Sequence, residues 1–476
     1  MLLVFVKMVT VVFGLFMTRM LSEHFSVHDY GTYSQIILLS STVSTFTIMG
    51  LVDGINYFFC SNSDLQKRKE YVSTIFFLQC AIGAFAALVI LIGAVPISNY
   101  FGNEEVKNLI IFAALLPILQ NSISLLQIMF IAIGKARLIA IRNLIVSIVK
   151  LIAILLACLV FDNIVVVLIA QVIMELAQIA YFVVSLNKNQ CKIHLFGFKI
   201  SLFKDILTYC IPMAMFTMVK ALNRDCDKYV VAAFTDTETL AIYTNASKQL
   251  PFDLIMISFC TVLLPYITRY IAGKQWEKTQ TLYKAFLELA YISTSILAIG
   301  AICVAPNLMT FLYTEKYLSG LAIFIVYIVV DILSVLNLTL LLSAAGKTKT
   351  IFYISLSAFA LNLGLNILLF QFLGVLGPAF ATLFVTVVQG LVMLAFSAKE
   401  INTSIWNLFD GRTLLVLVAE MLVMGLIACS FRYALVQLST PSFFIMAICY
   451  SIFIFPLFAI NFKKIKKCMG IINSAK

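Results

Sequence analysis

Charged residues within an otherwise apolar stretch are the first candidates for chemistry in this chain. Five of them follow the apolar run that contains Pro212, namely Lys220, Arg224, Asp225, Asp227 and Lys228. A charged side chain at the centre of a bilayer costs about 2.5–3.5 kcal/mol on insertion scales, so such residues are rare and usually face a functional cavity. Arginine binds phosphate groups through paired hydrogen bonds, and lysine acts as a point charge. The stretch therefore indicates a site for an anionic group.

Helical spacing groups these charges on one face of a predicted helix. Lys220, Arg224 and Asp227 occupy positions i, i+4 and i+7, which lie on one side of an α-helix. Similar polar stripes are predicted on two other helices, one with Asn245, Lys248, Gln249 and Asp253 and the other with Lys7, Thr10, Gly14 and Thr18. Three such stripes predict a wet cavity with an excess of positive charge. The predicted substrate-binding residues are Lys7, Arg19, Lys220, Arg224, Lys228 and Lys248.

Acidic residues near these cations have two interpretations. They either form static ion pairs with the cations or take part in coupling transport to an ion. The residues predicted for coupling or pairing are Asp225, Asp227, Asp253 and Asp331. The acids are fewer than the cations, which favours substrate contact for Lys220 and Arg224. Snorkelling explains the cations near span ends equally well, namely Lys7, Arg19 and Arg142, and Lys150 has no partner that the sequence identifies.

Composition places the whole chain in the membrane. It has 476 residues, of which 62% are hydrophobic and 12% charged, and its mean hydropathy is +1.05. Since a helix crosses a bilayer with about 20 apolar residues, we predict an all-α protein with about fourteen spans. These are residues 1–21, 34–60, 72–95, 108–133, 138–160, 163–186, 205–234, 239–268, 282–304, 319–345, 351–371, 374–397, 413–431 and 441–462.

Sequence signatures of enzymes, nucleotide sites and metal sites are missing. The chain has no Walker sequence, nucleophile elbow or zinc signature. The 11 cysteines are scattered and interpreted as apolar fillers without disulfides. His24 and His28 are interpreted as solvated, because the loop offers no third ligand. We therefore predict neither a cofactor nor a metal, and no enzymatic activity.

Positive charge is distributed unevenly between the predicted loops. Loops after even-numbered spans, together with the C-terminal tail, hold 22 of the 33 Lys and Arg residues, whereas loops after odd-numbered spans hold 3. The positive-inside rule then places both termini in the cytoplasm. The net charge of +11 is thereby explained by topology, and nucleic-acid binding is not needed to account for it.

The chain also repeats itself at a nearly constant offset. Gly134-Lys135-Ala136-Arg137 resembles Gly346-Lys347-Thr348-Lys349, the Pro96 region resembles the Pro306 region, and Tyr33 resembles Tyr243. These offsets, 212, 210 and 210, predict two six-helix halves of the same orientation, with a substrate site between them. The predicted divisions are 1–190 and 191–400 for the two lobes and 401–476 for two further helices with a basic tail.

Several motifs resemble one family of membrane proteins. The matching segments are Arg19-Met20-Leu21-Ser22, Asp29-Tyr30-Gly31-Thr32-Tyr33, Asp227, Leu240-Ala241-Ile242-Tyr243-Thr244-Asn245-Ala246, Leu263-Leu264-Pro265, Leu361-Asn362-Leu363-Gly364-Leu365-Asn366 and Gly374-Val375-Leu376-Gly377-Pro378-Ala379. Together they are similar to the polysaccharide-biosynthesis flippases, the Wzx-type members of the multidrug/oligosaccharidyl-lipid/polysaccharide (MOP) superfamily. Pro378 and Ala241 depart from the family pattern, which usually has a small residue and a glycine at these positions.

The resemblance implies a flippase for O-antigen or capsule synthesis in the bacterial inner membrane. Such a protein moves an undecaprenyl-diphosphate-linked oligosaccharide from the inner to the outer leaflet, and a polysaccharide polymerase is a candidate partner. Coupling to protons, to sodium or to the membrane potential is left open. A murein-precursor flippase and a multidrug or cation antiporter of the same superfamily remain alternatives, but the cationic stripe disfavours the antiporter. A membrane enzyme is disfavoured because the predicted outer loops are short.

Overall fold

Helices are the regular elements throughout the described part of the chain. The computed structural model describes residues 2–61, 64–132, 135–188, 198–248, 250–409, 411–438 and 440–474. Gln249 and the side chains of Lys7 and Asp253 lie outside this described part. The prediction of an all-α polytopic architecture is confirmed.

The chain divides into two compact units, residues 1–242 and 243–476. The first unit contains α1 (Leu2–His24), α2 (Val27–Ile48), α3 (Leu51–Ser61), α4 (Leu65–Ile92), α5 (Ala94–Phe101), α6 (Glu104–Ala132), α7 (Ala136–Leu156), α8 (Ile164–Lys188), α9 (Phe203–Phe234) and the start of α10 (Thr237–Ala246). A π-helical turn, Ala157–Phe161, prolongs α7.

The second unit begins within α10. It continues with α11 (Leu254–Ala272), α12 (Trp276–Cys303), α13 (Ala305–Tyr313), α14 (Leu321–Leu333), α15 (Leu340–Ala344), α16 (Thr348–Leu373), α17 (Leu376–Glu400), α18 (Gly411–Gln437) and α19 (Ser442–Ser474). This division differs from the lobe boundaries at 190 and 400, which follow the repeat and stay a prediction.

Twelve helical stretches among the described residues are long and apolar enough to cross a membrane, against about fourteen predicted. The two further predicted spans are residues 1–21 and residues 239–268. In the first, several side chains of α1 lie outside the described part. The second of these is not one helix, because α10 ends at Ala246 and α11 begins only at Leu254. The predicted stripe from Asn245 to Asp253 is therefore interrupted, and Lys248 lies outside any helix.

Two other predicted spans are also broken. Between α2 and α3, Met49 and Gly50 adopt left-handed conformations with φ of 43° and 67°. A Cβ atom on Gly50 would stand 2.7 Å from the carbonyl oxygen of Cys210, so glycine permits both the turn and the close approach of α9. In the second unit, α14 passes through a 3₁₀ turn, Ser334–Asn337, before α15 begins.

Each unit has its own apolar core. In the first unit, buried residues of α3, α4, α6, α8 and α9 pack together, among them Leu51, Ile75, Phe130 and Ile206. In the second unit α12 is central, and its buried Tyr283, Phe286 and Ile292 pack with residues of α11, α17, α18 and α19. Helix α19 continues well past the predicted span end at residue 462, because Cys468 and Ile472 are buried in this same core.

Candidate functional site

The charged cluster predicted on α9 is assembled around one buried acid. The side chain of Asp225 is only 7% exposed and pairs with two cations. Arg224 donates from Nε at 3.1 Å and from Nη2 at 2.7 Å to its Oδ2. Lys228, whose side chain is 14% exposed, donates from Nζ to Oδ1 at 2.6 Å. The carboxylate thereby receives bonds from both sides and holds the two cations in fixed positions.

Exposure separates the three cations of α9 into two kinds. Lys228 is largely enclosed, whereas the Arg224 side chain is 57% exposed despite its ion pair. Lys220, one helical turn earlier, is exposed, and none of the ion pairs within the described part of the chain includes it. Lys220 and Arg224 therefore present two accessible positive charges on adjacent turns, which is an arrangement suited to an anion with several oxygens.

The observed ion pair differs from the one that helical spacing favours. Asp227, one turn from Arg224, is buried with 1% exposure, but the guanidinium bonds the neighbouring Asp225 instead. Residues i and i+1 of a helix do not face each other, so this pairing requires the long arginine side chain to fold back. The static ion pairing considered from the sequence is therefore present for Arg224 and Lys228, which both pair with Asp225. Lys220 takes no part in it.

Tyrosine hydroxyls anchor the end of α9 to other helices of the first unit. Tyr229 donates to Thr42 Oγ1 of α2 at 2.6 Å, and Tyr100 of α5 donates to the carbonyl oxygen of Tyr229, also at 2.6 Å. Both bonds are made at Tyr229, which directly follows Lys228 at the C-terminal side of the charged cluster. They fix the rotation of α9 and thus the direction in which Lys220 and Arg224 point.

The other predicted cations have different surroundings. Arg19 pairs with Glu23 across one turn of α1 at 3.3 Å, which uses part of its hydrogen-bonding capacity. Lys248 is exposed in the segment after α10. The structure thus brings together Lys220, Arg224, Asp225, Asp227 and Lys228 on α9, and it places Arg19 and Lys248 on other segments.

Asp331 holds the break between α10 and α11. Its side chain is buried, with 6% exposure, and its Oδ2 accepts the backbone N–H of Leu250 at 3.1 Å. Asp331 itself lies near the end of α14, just before the 3₁₀ turn. It therefore connects two interrupted helices of the second unit, and its predicted role in coupling stays a prediction.

Two features of the first unit escaped sequence reasoning. One is a buried polar network in which Asn103 donates to Thr32 Oγ1 at 2.9 Å and to Gln35 Oε1 at 2.8 Å, and Gln35 donates to Thr237 Oγ1 at 3.3 Å. None of these residues is charged, so nothing in the sequence marked them. The network instead required knowledge of which helices pack together.

The other feature is the electrostatic partner of Lys150 on α7. Glu175 on α8 interacts electrostatically with it and is buried with 8% exposure. Gln120 of α6 donates to Glu175 Oε1 at 3.1 Å. Both charges were visible as intramembrane residues on consecutive predicted spans, and pairing those spans as a helical hairpin would have identified the partner.

Hydroxyl groups on α2 form hydrogen bonds to a neighbouring helix. Ser44 donates to Asn121 Oδ1 of α6 at 2.6 Å, and Asn121 donates to Thr47 Oγ1 at 2.8 Å.

The two histidines that were interpreted as solvated, His24 and His28, have acidic neighbours in the structure. His24 lies 2.9 Å from Asp162, and ligand atoms of His28, Asp29 and Glu105 lie within 4.8 Å of one another. This group is partly exposed, and acidic side chains commonly gather on surfaces without a metal, so it adds no metal to the candidate site.

Comparisons with known proteins agree with this architecture. Residues 16–322 match the sequence model of a family described as polysaccharide biosynthesis protein, and no curated protein matches the chain. The chain is similar in fold to the lipid II flippase MurJ in an inward closed conformation, with a TM-score of 0.75, 19% identity and coverage of 95% of this chain and 98% of that one.

Two further solved structures share the fold. One is an inward-facing multidrug resistance MATE family transporter of the MOP superfamily, with a TM-score of 0.68, 12% identity and coverage of 83% and 94%. The other is a MOP superfamily transporter from Pyrococcus furiosus whose binding pocket has reversed polarity, with a TM-score of 0.56, 12% identity and coverage of 84% and 94%. At these identities the likeness concerns the fold alone.

Proposed function

Because the chain belongs to the polysaccharide biosynthesis protein family, we propose that it is a flippase for an undecaprenyl-diphosphate-linked oligosaccharide. It moves this lipid from the inner to the outer leaflet of the bacterial inner membrane for O-antigen or capsule synthesis. The proposed activity is transport, and no covalent step is assigned to the chain. A polysaccharide polymerase is the proposed recipient of the product.

The observation that supports this substrate most directly is the pair of exposed cations on α9. Lys220 and Arg224 lie one turn apart, so both can reach the oxygens of one diphosphate. Arg224 is held by Asp225 on one side and is 57% exposed on the other, which leaves part of its guanidinium available to a ligand. The charge of the cluster, with three cations and two acids on α9, stays positive when all are ionised.

Each further predicted residue has a proposed role. Lys228 is proposed to hold Asp225 in place and so to support Arg224, and Lys7, Arg19 and Lys248 are proposed as further substrate-binding residues. Asp227, Asp253 and Asp331 remain the proposed residues for ion coupling or pairing, with protons, sodium or the membrane potential as the driving source. The proposed topology has both termini in the cytoplasm.

A murein-precursor flippase is the second candidate, because the fold is similar to the lipid II flippase MurJ. Both substrates contain a polyprenyl diphosphate, so the cations of α9 suit either one. A multidrug or cation antiporter fits less well, since a cationic drug would be repelled by Lys220 and Arg224. The substrates of the first two candidate functions differ in their sugar portion.

The decisive experiment measures binding of defined lipids to the purified protein in nanodiscs. We expect the undecaprenyl-diphosphate-linked oligosaccharide of the native surface polysaccharide to bind more tightly than lipid II. Lys220→Ala should weaken binding about tenfold or more, because a hydrogen bond to a charged group contributes about 1.5–3 kcal/mol. Lys220→Arg should retain most of the affinity.

Lys204→Ala is the matched control, because Lys204 is another exposed lysine on α9 and lies four turns away from the cluster. It should leave binding unchanged. Equal affinity of Lys220→Ala and the unaltered protein would exclude the proposed contact, and tighter binding of lipid II would favour the second candidate.

A further inference from the structure

The two units contain equivalent grooves on their helical surfaces. In the first unit a groove of about 280 Å³ lies between α7 and α8. In the second unit a groove of about 240 Å³ lies between α16 and α17. Both are lined almost entirely by apolar side chains, and each runs along a pair of consecutive long helices.

Every lining residue of the first groove except Leu138 has a counterpart among the lining residues of the second. With an offset of 212 in residue number, Ile141, Arg142 and Val149 of α7 correspond in order to Tyr353, Ile354 and Leu361 of α16. With an offset of 211, Met174, Gln178 and Tyr181 of α8 correspond in order to Val385, Gln389 and Val392 of α17. The grooves are thus the same structural feature in two halves of a repeated chain, and each serves as a reference for the other.

One difference in charge separates them. Arg142 lines the first groove, and its counterpart in the second groove is Ile354. The second groove is therefore without a charge at the place where the first has a cation. A lipid with an anionic head suits the first groove, because a cation facing the membrane is costly unless it is paired.

The guanidinium of Arg142 has unused hydrogen-bonding capacity. Within the described part of the chain its Nη2 donates to Asn143 Oδ1 at 2.7 Å, while Nε and Nη1 are buried without a hydrogen-bond partner. The group rests on the ring of Phe182, 4.9 Å from its centroid. A change of rotamer toward the groove would give these N–H groups access to two oxygens of a phosphate, the geometry that arginine prefers.

Polarity also changes along the groove. Arg142 near the start of α7 and Tyr181 near the end of α8 lie at one end, whereas Val149 and Met174 lie at the other. At 1.5 Å per residue, Val149 is about 10 Å deeper than Arg142 along the helix. The polar end is the one nearer Ala136, the start of α7, and the positive-inside rule places this side of the span in the cytoplasm. The groove therefore matches a lipid of the inner leaflet, with an anionic head at Arg142 and a chain extending inward.

We propose that the α7–α8 groove holds the polyprenyl chain of the substrate before transport, with its diphosphate at Arg142. This inference rests on the proposed function, because it takes the substrate to be a polyprenyl diphosphate lipid. It adds a waiting site on the surface of the first unit, separate from the cations of α9. Arg142 acts there as a binding residue that distinguishes a diphosphate-bearing lipid from neutral lipids of the bilayer.

The experiment uses undecaprenyl diphosphate with a photoreactive group in its chain and the full-length protein in phosphatidylethanolamine nanodiscs. After illumination, mass spectrometry locates the labelled peptides. We expect labelling of α7 and α8 in the unaltered protein and about tenfold less in Arg142→Ile, since one charge-assisted contact is lost. Arg142→Lys should lie between them, because it keeps the charge without the paired N–H groups.

The second groove supplies the matched control. Ile354→Arg places the same cation in the corresponding position, and labelling should then rise on α16 and α17. Equal labelling of α7 and α8 in the unaltered protein and in Arg142→Ile would refute the proposal. So would displacement of the probe by an equal amount of phosphatidylglycerol, which would identify a general site for anionic phospholipids.

Failure of the waiting site and failure of the proposed function give different results. If deletion of the gene leaves surface polysaccharide intact while the probe still labels α7 and α8, the flippase assignment fails and the groove stands. If deletion abolishes surface polysaccharide but labelling of α7 and α8 is the same with and without Arg142, the flippase assignment is retained and the proposed binding site in the groove is refuted.

Discussion

At the scale of single residues, Asp225 determines how the α9 cluster responds to mutation. It binds Arg224 and Lys228 at the same time, so removing Arg224 leaves the acid paired with Lys228. Removing Asp225 instead leaves two cations without their common partner. Breaking a buried pair by deleting one member costs about 3–5 kcal/mol, and Asp225, at 7% exposure, is the buried member here.

This asymmetry gives a prediction for Arg224. We expect Arg224→Ala to insert at normal levels, because Lys228 still neutralises Asp225, and to lose most surface polysaccharide, because the exposed guanidinium is gone. Arg224→Lys should retain partial export. Asp225→Ala should lower the amount of folded protein. Export is measured by surface polysaccharide immunoblotting, and protein amount by fluorescence-detected size-exclusion chromatography.

The double variant Arg224→Ala with Asp225→Ala tests the opposing explanation. If Arg224 only neutralised Asp225, its loss would have no effect once Asp225 is absent, and the double variant would export as much polysaccharide per folded protein as Asp225→Ala alone. We expect the double variant to export less than Asp225→Ala at equal amounts of folded protein. Equal export would make Arg224 a static ion-pair partner and remove it from the proposed binding site.

At the scale of helices, α10 depends on an N-terminal cap outside the membrane spans. The backbone N–H of Thr239 donates to Asp236 Oδ1 at 2.7 Å, and hydrogen bonds from Thr239 hold the pKa of Asp236 below its usual value. A lowered pKa means that the cap stabilises the fold at pH values above the unfolded pKa of about 3.9. This contribution is lost as pH falls through the still lower folded pKa.

Asp236→Ala should therefore matter at neutral pH and not in acid. Loss of such a cap costs about 1 kcal/mol of unfolding free energy, so we expect a lower thermal transition at pH 7 for purified protein in detergent. Near pH 3 the difference between the two proteins should shrink. Asp236→Asn keeps an oxygen acceptor that does not titrate, so it should resemble the unaltered protein at pH 7 and change less in stability toward pH 3. A constant difference across this range would contradict the role of the ionised cap.

Helix boundaries were largely predictable from the sequence, whereas interruptions within helices were not. The charged helix was predicted at residues 205–234 and is found at Phe203–Phe234, because apolar runs and charges mark where a span begins and ends. The break after Ala246 was missed because Asp331, distant in sequence, stabilises it by accepting the N–H of Leu250. Both Asp225 and Asp227 were considered as partners of Arg224, and the sequence could not decide between them, since periodicity gives the face of a helix but not the rotamer of a long side chain.

At the scale of the whole molecule, the uneven charge of the loops predicts the orientation of the chain. Exposed Lys278 lies in a loop predicted to be cytoplasmic, and exposed Glu238 lies in one predicted to be periplasmic. In a variant whose native cysteines are replaced, Glu238→Cys should react with a membrane-impermeant maleimide in intact cells. Lys278→Cys should react only after the cells are opened, and its labelling in intact cells would reverse the assignment.

The π-helical turn Ala157–Phe161 accounts for a difference of one residue between the two grooves. From Arg142 to Gln178 there are 36 positions, but only 35 separate their counterparts Ile354 and Gln389. A π turn winds one residue more than an α turn into the same rise, and it lies between the two walls of the first groove. The extra residue is therefore accommodated within a single helical turn. The face that α8 presents to α7 stays in register, so the two grooves keep matching walls although only the first contains a cation.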